Sequence, residues 1–239
     1  MQRERPKSTI DEIRERFDHD VERFSNLETG QQTTIDAPLS LELITDAAGS
    51  VNAAAENLLD IGCGAGNYTL KMLTKVNNLS CTLIDLSIPM LERAKQRVEQ
   101  QTEAEVHTIQ GDIRDVELKS SYFDIVLAGA VLHHLRNEEE WEKVFRKIYV
   151  ALKPGGSFWI SDLVVHEAPI ITELFWKKYA GYLSDLGGDA FQQRVLDYID
   201  KEDTPQSVTF QMEMMRKVGF RYVDILHKNS SFAAFGAVK

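Results

Sequence analysis

The stretch Leu58-Leu59-Asp60-Ile61-Gly62-Cys63-Gly64-Ala65-Gly66 leaves this chain few folds to choose from. Apolar residues run into a segment where every second position is glycine, and a helical pattern follows from Asn67. A strand that must turn at once into a helix needs residues free to take positive φ, with no side chain where a ligand comes close. Such a unit opens a parallel sheet whose connections are helices. The centre of the chain keeps that rhythm. Strands are predicted over residues 57–61, 80–86, 106–110, 123–128 and 157–165, with helices over 67–76, 87–100 and 138–152. Residues 123–128 are nearly all apolar, as a parallel strand covered on both faces should be. Ser87 has the character of an N-cap, and Lys153-Pro154-Gly155-Gly156 stops the helix before the fifth strand. Segments 221–227 and 231–238 read as a final antiparallel pair. The expected fold is α/β: a Rossmann-like, doubly wound, mostly parallel seven-stranded sheet with helical cap elements.

Two helical regions fall outside that alternation. Ile10, Ile13, Phe17, Val21 and Phe24 recur at spacings of three and four, one stripe of an amphipathic helix over residues 9–24. A polar stretch over 25–36 and a second helical pattern over 39–48 follow. Between the fifth and sixth strands, residues 170–186 and 190–199 read as helices broken at Gly187-Gly188, and Pro205 opens another that ends near Gly219. This is more chain than a crossover needs. The expected division is an N-terminal helical cap, residues 1–50, and a Rossmann-like domain, 51–239, with a helical cap insertion at about 166–204.

The net charge of −10 repels phosphate backbones, which disfavours a nucleic acid as partner. The two cysteines, Cys63 and Cys81, form neither a disulfide framework nor a Cys-x-x-Cys pair. The charged N-terminus, Met1 to Asp11, lacks an apolar signal core, and no apolar run is long enough to cross a bilayer. A cytoplasmic protein with no membrane association is expected, its oligomeric state open.

The glycine turn narrows the ligand. Dinucleotide enzymes want G-x-G-x-x-G, which requires glycine at position 67, where this chain has Asn67. Asp60 beside the turn is poorly placed for a pyrophosphate but suits a ligand carrying an ammonium and a sulfonium. A tight turn without a ligand is the plain alternative. Asp85 ends the second strand about twenty residues on, where an acid can accept both hydroxyls of a ribose. In Gln110-Gly111-Asp112-Ile113 a carboxylate can accept an adenine amino group while Ile113 offers an apolar face. A loop acid with no ligand is the equal alternative there.

Asp60-x-Gly62-x-Gly64-x-Gly66, Asp85, Gly111-Asp112 and Leu152-Lys153-Pro154-Gly155-Gly156 together resemble a class I S-adenosylmethionine-dependent methyltransferase. The resemblance covers about residues 55 to 165, and Gly219-Phe220 with the last two strands extends it. It implies S-adenosyl-L-methionine as cofactor. It further implies that Gly62, Cys63 and Gly64 line its methionine part, with Asp60 facing the amino group. Asp85 would hold the ribose with Leu86 beside the adenine, Asp112 and Ile113 would bind adenine, and the backbone near Ala128 and Gly129 would close over the methionine end. Phe17-Asp18-His19-Asp20-Val21, residues 232–239 and Gln192-Gln193-Arg194 are loosely similar to the carboxy-S-adenosylmethionine synthase branch, which modifies the cofactor for tRNA chemistry. There Arg194 corresponds to a carboxylate-binding arginine, while Ala128-Gly129-Ala130 lacks that branch's polar residue.

Methyl transfer from a sulfonium is an in-line displacement, and a protein base is needed only if the acceptor must lose a proton. In Val131-Leu132-His133-His134-Leu135, just past the fourth strand, His133 is the candidate base and His134 a candidate substrate contact. Loop capping by these imidazoles is the structural alternative. Tyr179 lies in an aromatic stripe with Phe175, Trp176 and Tyr182 that reads first as packing and second as substrate contact. Arg194 is a candidate for pairing with an acidic substrate. Asp162, His166 and Glu167 form a weak ligand set, so no metal is expected. The expected activity is methyl transfer to an oxygen or nitrogen of a small molecule. Carboxy-S-adenosylmethionine synthesis or tRNA modification is the second reading, and a non-catalytic cofactor-binding protein the third.

Overall fold

The computed structural model describes residues 6–26 and 30–239. Positions 1–5 of the charged N-terminus, and 27–29 of the polar stretch after the first helical stripe, lie outside the described residues.

Helix α1 (Ile10–Asp18) begins on a capping box: Thr9 Oγ1 accepts from the Glu12 N–H, and the Glu12 carboxylate accepts from the Thr9 N–H. The single helix expected over 9–24 is in fact two, because the chain breaks at His19 and Asp20 and restarts as α2 (Val21–Ser25). Phe17 and Phe24 would lie about 10 Å apart along a straight helix; the break brings their ring centroids to 5.7 Å. Helix α3 (Ala37–Val51) then leads to the sheet.

The alternating centre forms as the spacing predicts. It runs β1 (Asn57–Ile61), α4 (Asn67–Leu73), β2 (Ser80–Asp85), α5 (Ile88–Glu99), β3 (Val106–Gln110), β4 (Phe123–Gly129), a 3₁₀ turn (Leu132–His134), α6 (Glu138–Ala151) and β5 (Leu152–Leu163). Ser87 caps α5 through the Met90 N–H, and Asn137 caps α6 through the Glu140 N–H. Strand β5 begins at Leu152 rather than Ser157: Leu152 pairs with Phe123, and the Pro-Gly-Gly run is carried as an irregularity before Ser157 meets Ile125. Helices α7 (Pro169–Gly187) and α8 (Asp189–Glu202) follow, separated where Gly188 takes φ +79°. Helix α9 (Val208–Val218) starts after Ser207, whose hydroxyl accepts from the Phe210 N–H, not at Pro205. Strands β6 (Tyr222–Asn229) and β7 (Phe232–Val238) finish the chain.

The seven strands form one sheet in the order β3-β2-β1-β4-β5-β7-β6. Strands β1 to β5 are parallel, and β7 inserts antiparallel between β5 and β6. The strand order reverses between β1 and β4, and the crevice outside their carboxyl ends is where open α/β sheets bind ligands. One face of the sheet, with Phe158, is covered by α6 (Trp141, Phe145) and α9, and the other, with Leu83, by α3 (Ile44), α4 (Met72) and α5. A third cluster, around Tyr179, Leu183 and Phe232, belongs to α7 and α8.

The N-terminal segment and the α7–α8 hairpin pack on each other. The Ser8 N–H donates to the Lys201 carbonyl at 2.9 Å, and Arg16 grips Glu202 through both Nε and Nη2. Tyr179 and Tyr182 donate their hydroxyls to the Thr33 and Gln32 carbonyls at 2.8 and 2.7 Å. Among the described residues no helix is long and apolar enough to cross a membrane.

Candidate active site

The glycine turn sits at the carboxyl end of β1. Gly62, Gly64 and Gly66 take φ of +64°, +50° and +84°, the left-handed region that L side chains resist. At Gly62 sterics reinforce the requirement, since a Cβ there would lie 2.5 Å from the Val131 methyl. Asp85, at the end of β2, is tied to this turn. Its Oδ2 accepts from the Gly64 N–H at 2.8 Å and its Oδ1 from the Ser87 N–H at 2.9 Å. Burial nevertheless raises its acid above the ordinary value, against the pull of those backbone bonds. Asn67, the residue that breaks the dinucleotide spacing, donates to the Phe24 carbonyl at 2.9 Å and so fastens α2 to the turn.

A single cavity opens here. Its wall includes Gly62, Cys63 and Gly64, then Asp85 and Leu86, then Asp112 and Ile113, and across the switch point Gly129, His133, His134 and Tyr179. Four expected site residues are elsewhere. Asp60 is 1% exposed and lies behind the turn, Gly66 caps α4, and Ala128 is buried within β4. Arg194 is exposed on α8, its guanidinium over the Phe191 ring, away from the cavity. Asp112 is on the wall, but its carboxylate already accepts from the Arg114 N–H, Nε and Nη2. Although burial opposes it, those bonds hold the Asp112 acid below the usual range. Gly129 is required by Tyr68, whose ring would meet a Cβ there at 2.4 Å.

On the β4–β5 side of the switch point the wall carries a histidine cluster whose acidic partners no motif announces. The His133 ring donates from Nδ1 to Asp162 Oδ1. The Asp162 carboxylate also accepts from the Leu132, His133 and Leu163 N–H groups at 2.9, 3.1 and 2.8 Å. This saturated carboxylate fixes the ring proton on Nδ1 and turns Nε2 toward Asp203, 3.7 Å away. His134 Nδ1 lies 3.3 Å from the same Asp203 Oδ1. Burial pulls the His133 ring down, but the charges of Asp162 and Asp203 outweigh it and lift the ring to about 9. Burial pushes Asp203 up to about 6 and, with the neighbouring His133, drives His134 well below its ordinary value. Asp162 comes from β5 and Asp203 from the residue after α8, so nothing local in the sequence links either to His133. Neither His166 nor Glu167 joins them: His166 stacks on Phe175, 4.4 Å between centroids.

The methyltransferase domain family matches residues 58–156, the turn through the end of the Pro-Gly-Gly run. A carboxy-S-adenosyl-L-methionine synthase from Vibrio atlanticus is 30% identical over 192 residues, which cover 77% of this chain and 76% of that protein. The chain belongs to the class I S-adenosylmethionine-dependent methyltransferases. The methyltransferase is also similar to a demethylmenaquinone methyltransferase from Lactococcus lactis, 27% identical over 77% of this chain and 73% of that protein. A solved structure of an O-methyltransferase-like protein from Nostoc punctiforme matches with a TM-score of 0.61 at 20% identity, over 87% of this chain and 59% of that one, a likeness of fold. The cofactor of the methyltransferase is S-adenosyl-L-methionine.

Asp60 has a measurable cost in this methyltransferase. Its Oδ2 accepts from Thr69 Oγ1 at 2.7 Å, its Oδ1 has no hydrogen-bond partner, and burial pushes its acid up to about 7. An acid whose pKa is raised on folding favours the folded chain only while protonated. That stability is therefore full below the ordinary value of 3.8 and is lost as pH rises to about 7. Above that pH the loss is on the order of 4 kcal/mol. The Asp60→Asn amide keeps an acceptor for Thr69 but buries an NH₂ with no partner, which costs about 1–3 kcal/mol. Urea unfolding of the ligand-free protein should find Asp60→Asn about 1–3 kcal/mol more stable than wild type at pH 8. At pH 4 it should find no gain. Equal differences at the two pH values would refute a buried, raised Asp60.

Proposed function

We propose that this methyltransferase moves the methyl group of S-adenosylmethionine to an oxygen or nitrogen of a small molecule, held under two helical elements, one N-terminal to α3 and one at about 166–204. One observation carries the reading: a single cavity is walled at one end by the glycine turn and Asp85, and at the other by His133, Asp162 and Asp203. The chain's own chemistry fits the cofactor. Each Asp85 oxygen spends one lone pair on a backbone N–H and keeps another for a ribose hydroxyl. The bare backbone at Gly62 and Gly64 leaves room for the methionine part. Asp60, behind them, supplies negative potential through a dry interior, which suits an ammonium and a sulfonium. Leu86 and Ile113 offer the adenine apolar faces, with Asp112, held by Arg114, beside them.

His133 is placed to receive a proton from the acceptor, because Asp162 holds the ring proton on the far nitrogen. A sulfonium bound in the same cavity adds positive charge near the ring and lowers its proton affinity toward the working range. The acceptor's lone pair forms the bond to the methyl carbon while the C–S bond breaks and its electron pair returns to sulfur. His134 and Tyr179 face the space left for the acceptor. Carboxyl transfer, the activity named for the Vibrio relative, asks for a cation facing the carboxylate; Arg194 stands outside the cavity, and the arginines on its wall are engaged, Arg16 by Glu202, Arg23 by Asp20 and Arg114 by Asp112 and Glu140. The net charge of −10 weighs against a nucleic-acid acceptor, and two buried free thiols suit a cytoplasmic setting.

Incubating the purified protein with a metabolite extract and methyl-labelled cofactor tests this reading. Label should appear in a small molecule on oxygen or nitrogen. A labelled tRNA, or a carboxylated cofactor, would replace it.

A further inference from the structure

We infer that His133 Nε2, His134 Nδ1 and Asp203 Oδ1 bind a divalent first-row transition-metal cation, whose open positions face the acceptor end of the cavity. The three atoms lie within 4.8 Å of one another. Asp203 Oδ1 is 3.3 Å from His134 Nδ1 and 3.7 Å from His133 Nε2. Bonds of about 2.0–2.1 Å at tetrahedral angles place ligand atoms about 3.3–3.4 Å apart, so a bound cation would draw the two imidazoles together and take His134 Nδ1 from the Glu202 carbonyl, 3.4 Å away.

Three further features point to a ligand. Asp203 is 5% exposed, yet its Oδ1 makes no hydrogen bond, and a buried carboxylate oxygen without a donor is a costly arrangement. Two neighbouring cations are otherwise engaged: Arg16 is taken up by Glu202 in a bidentate pair, and Lys7 donates to the Asp200 and Asp203 carbonyls. Lastly, the outer partner that metal-bound imidazoles use is already built: Asp162 accepts the Nδ1 proton of His133, so a cation would displace the proton that Nε2 otherwise holds toward Asp203. Two imidazoles and one carboxylate form a borderline donor set, suited to zinc, iron, cobalt or manganese rather than magnesium or calcium. Three protein ligands leave at least one position for an exogenous group. These ligands also join two parts of the chain, the 3₁₀ turn after β4 and the end of α8.

This inference rests on the proposed location of the acceptor and changes what His133 does there. With the cation bound, His133 is a ligand. The acceptor's oxygen or nitrogen coordinates the metal and loses its proton to water, because a bound Lewis acid lowers the acceptor's pKa. The resulting anion attacks the methyl carbon, the C–S bond breaks, and the sulfonium becomes a neutral thioether. The oxidation state of the metal does not change.

The test uses the full chain, stripped with a chelator and titrated with cobalt(II) chloride. One equivalent of cobalt should bind and give the visible absorption bands of a four- or five-coordinate site with nitrogen ligands. His134→Ala and Asp203→Asn should each weaken cobalt binding more than about a hundredfold. Calorimetry with S-adenosylmethionine reports whether each variant is folded. Failure of the wild-type protein to bind cobalt stoichiometrically, or equal binding by both folded variants, would overturn the inference. Full methyl transfer by chelator-stripped protein would also remove the cation while leaving the proposed function standing. Cobalt binding by a protein that methylates no small molecule would do the reverse.

Discussion

Asp85→Ala is expected to weaken S-adenosylmethionine binding by about 10²–10⁴-fold, read as a change in Kd by calorimetry. Two losses combine. Hydrogen bonds to a charged carboxylate are each worth about 1.5–3 kcal/mol, and in the proposed arrangement both ribose hydroxyls would lose their acceptor. The Gly64 N–H, 2.8 Å from Asp85 Oδ2, also loses the partner that holds the left-handed turn in shape. Asp85→Asn separates the two. The amide keeps one acceptor oxygen but turns an NH₂ against either the Gly64 or the Ser87 N–H. Its affinity should lie nearer the alanine variant than the wild type. Unchanged Kd in both variants would remove Asp85 from the ribose and leave it a turn-holding residue only.

His133→Ala should lower kcat by about 10²–10⁴-fold, the usual worth of a positioned proton acceptor, with saturating cofactor and the acceptor found by the label screen. The cofactor Kd should move little, because His133 stands at the far end of the cavity from Asp85. Asp162→Asn offers a finer test. It takes away the carboxylate that holds the ring proton on Nδ1, so Nε2 no longer presents its lone pair reliably. A fall in kcat with KM for both substrates nearly constant is expected of a positioning residue. Wild-type kcat in His133→Ala would mean that the acceptor needs no activation at this wall.

The parts of the site that could be read from the sequence are those set by short-range backbone geometry. Gly62 and Gly64 announce themselves because glycine alone takes such φ values at no steric cost, and at Gly62 a Cβ would also meet Val131. Asp85 is recognisable because the next strand must end level with the turn. The acidic partners of His133 gave no such sign. Asp162 reads as one more residue of a buried strand, and Asp203 as the polar end of a helix. They converge on His133 only because β5 lies beside β4 and α8 ends over the 3₁₀ turn. Arg194 shows the opposite error, a residue singled out by local likeness whose helix presents it away from the cavity. Spacing puts Asp112 on the cavity wall, but its engagement with Arg114 depends on side-chain geometry that spacing does not encode. The break at His19 and Asp20 was likewise invisible, since the apolar stripe continues across it.

Tyr179 and Tyr182 grip main-chain carbonyls at positions 33 and 32, and that choice of partner has an evolutionary consequence. A peptide oxygen is present whatever residue occupies the position. The inner lip of the roof can therefore change its side chains, and with them the shape offered to an acceptor, without loosening the latch. Positions 32 and 33 can thus vary while the two tyrosines and the backbone they hold are kept.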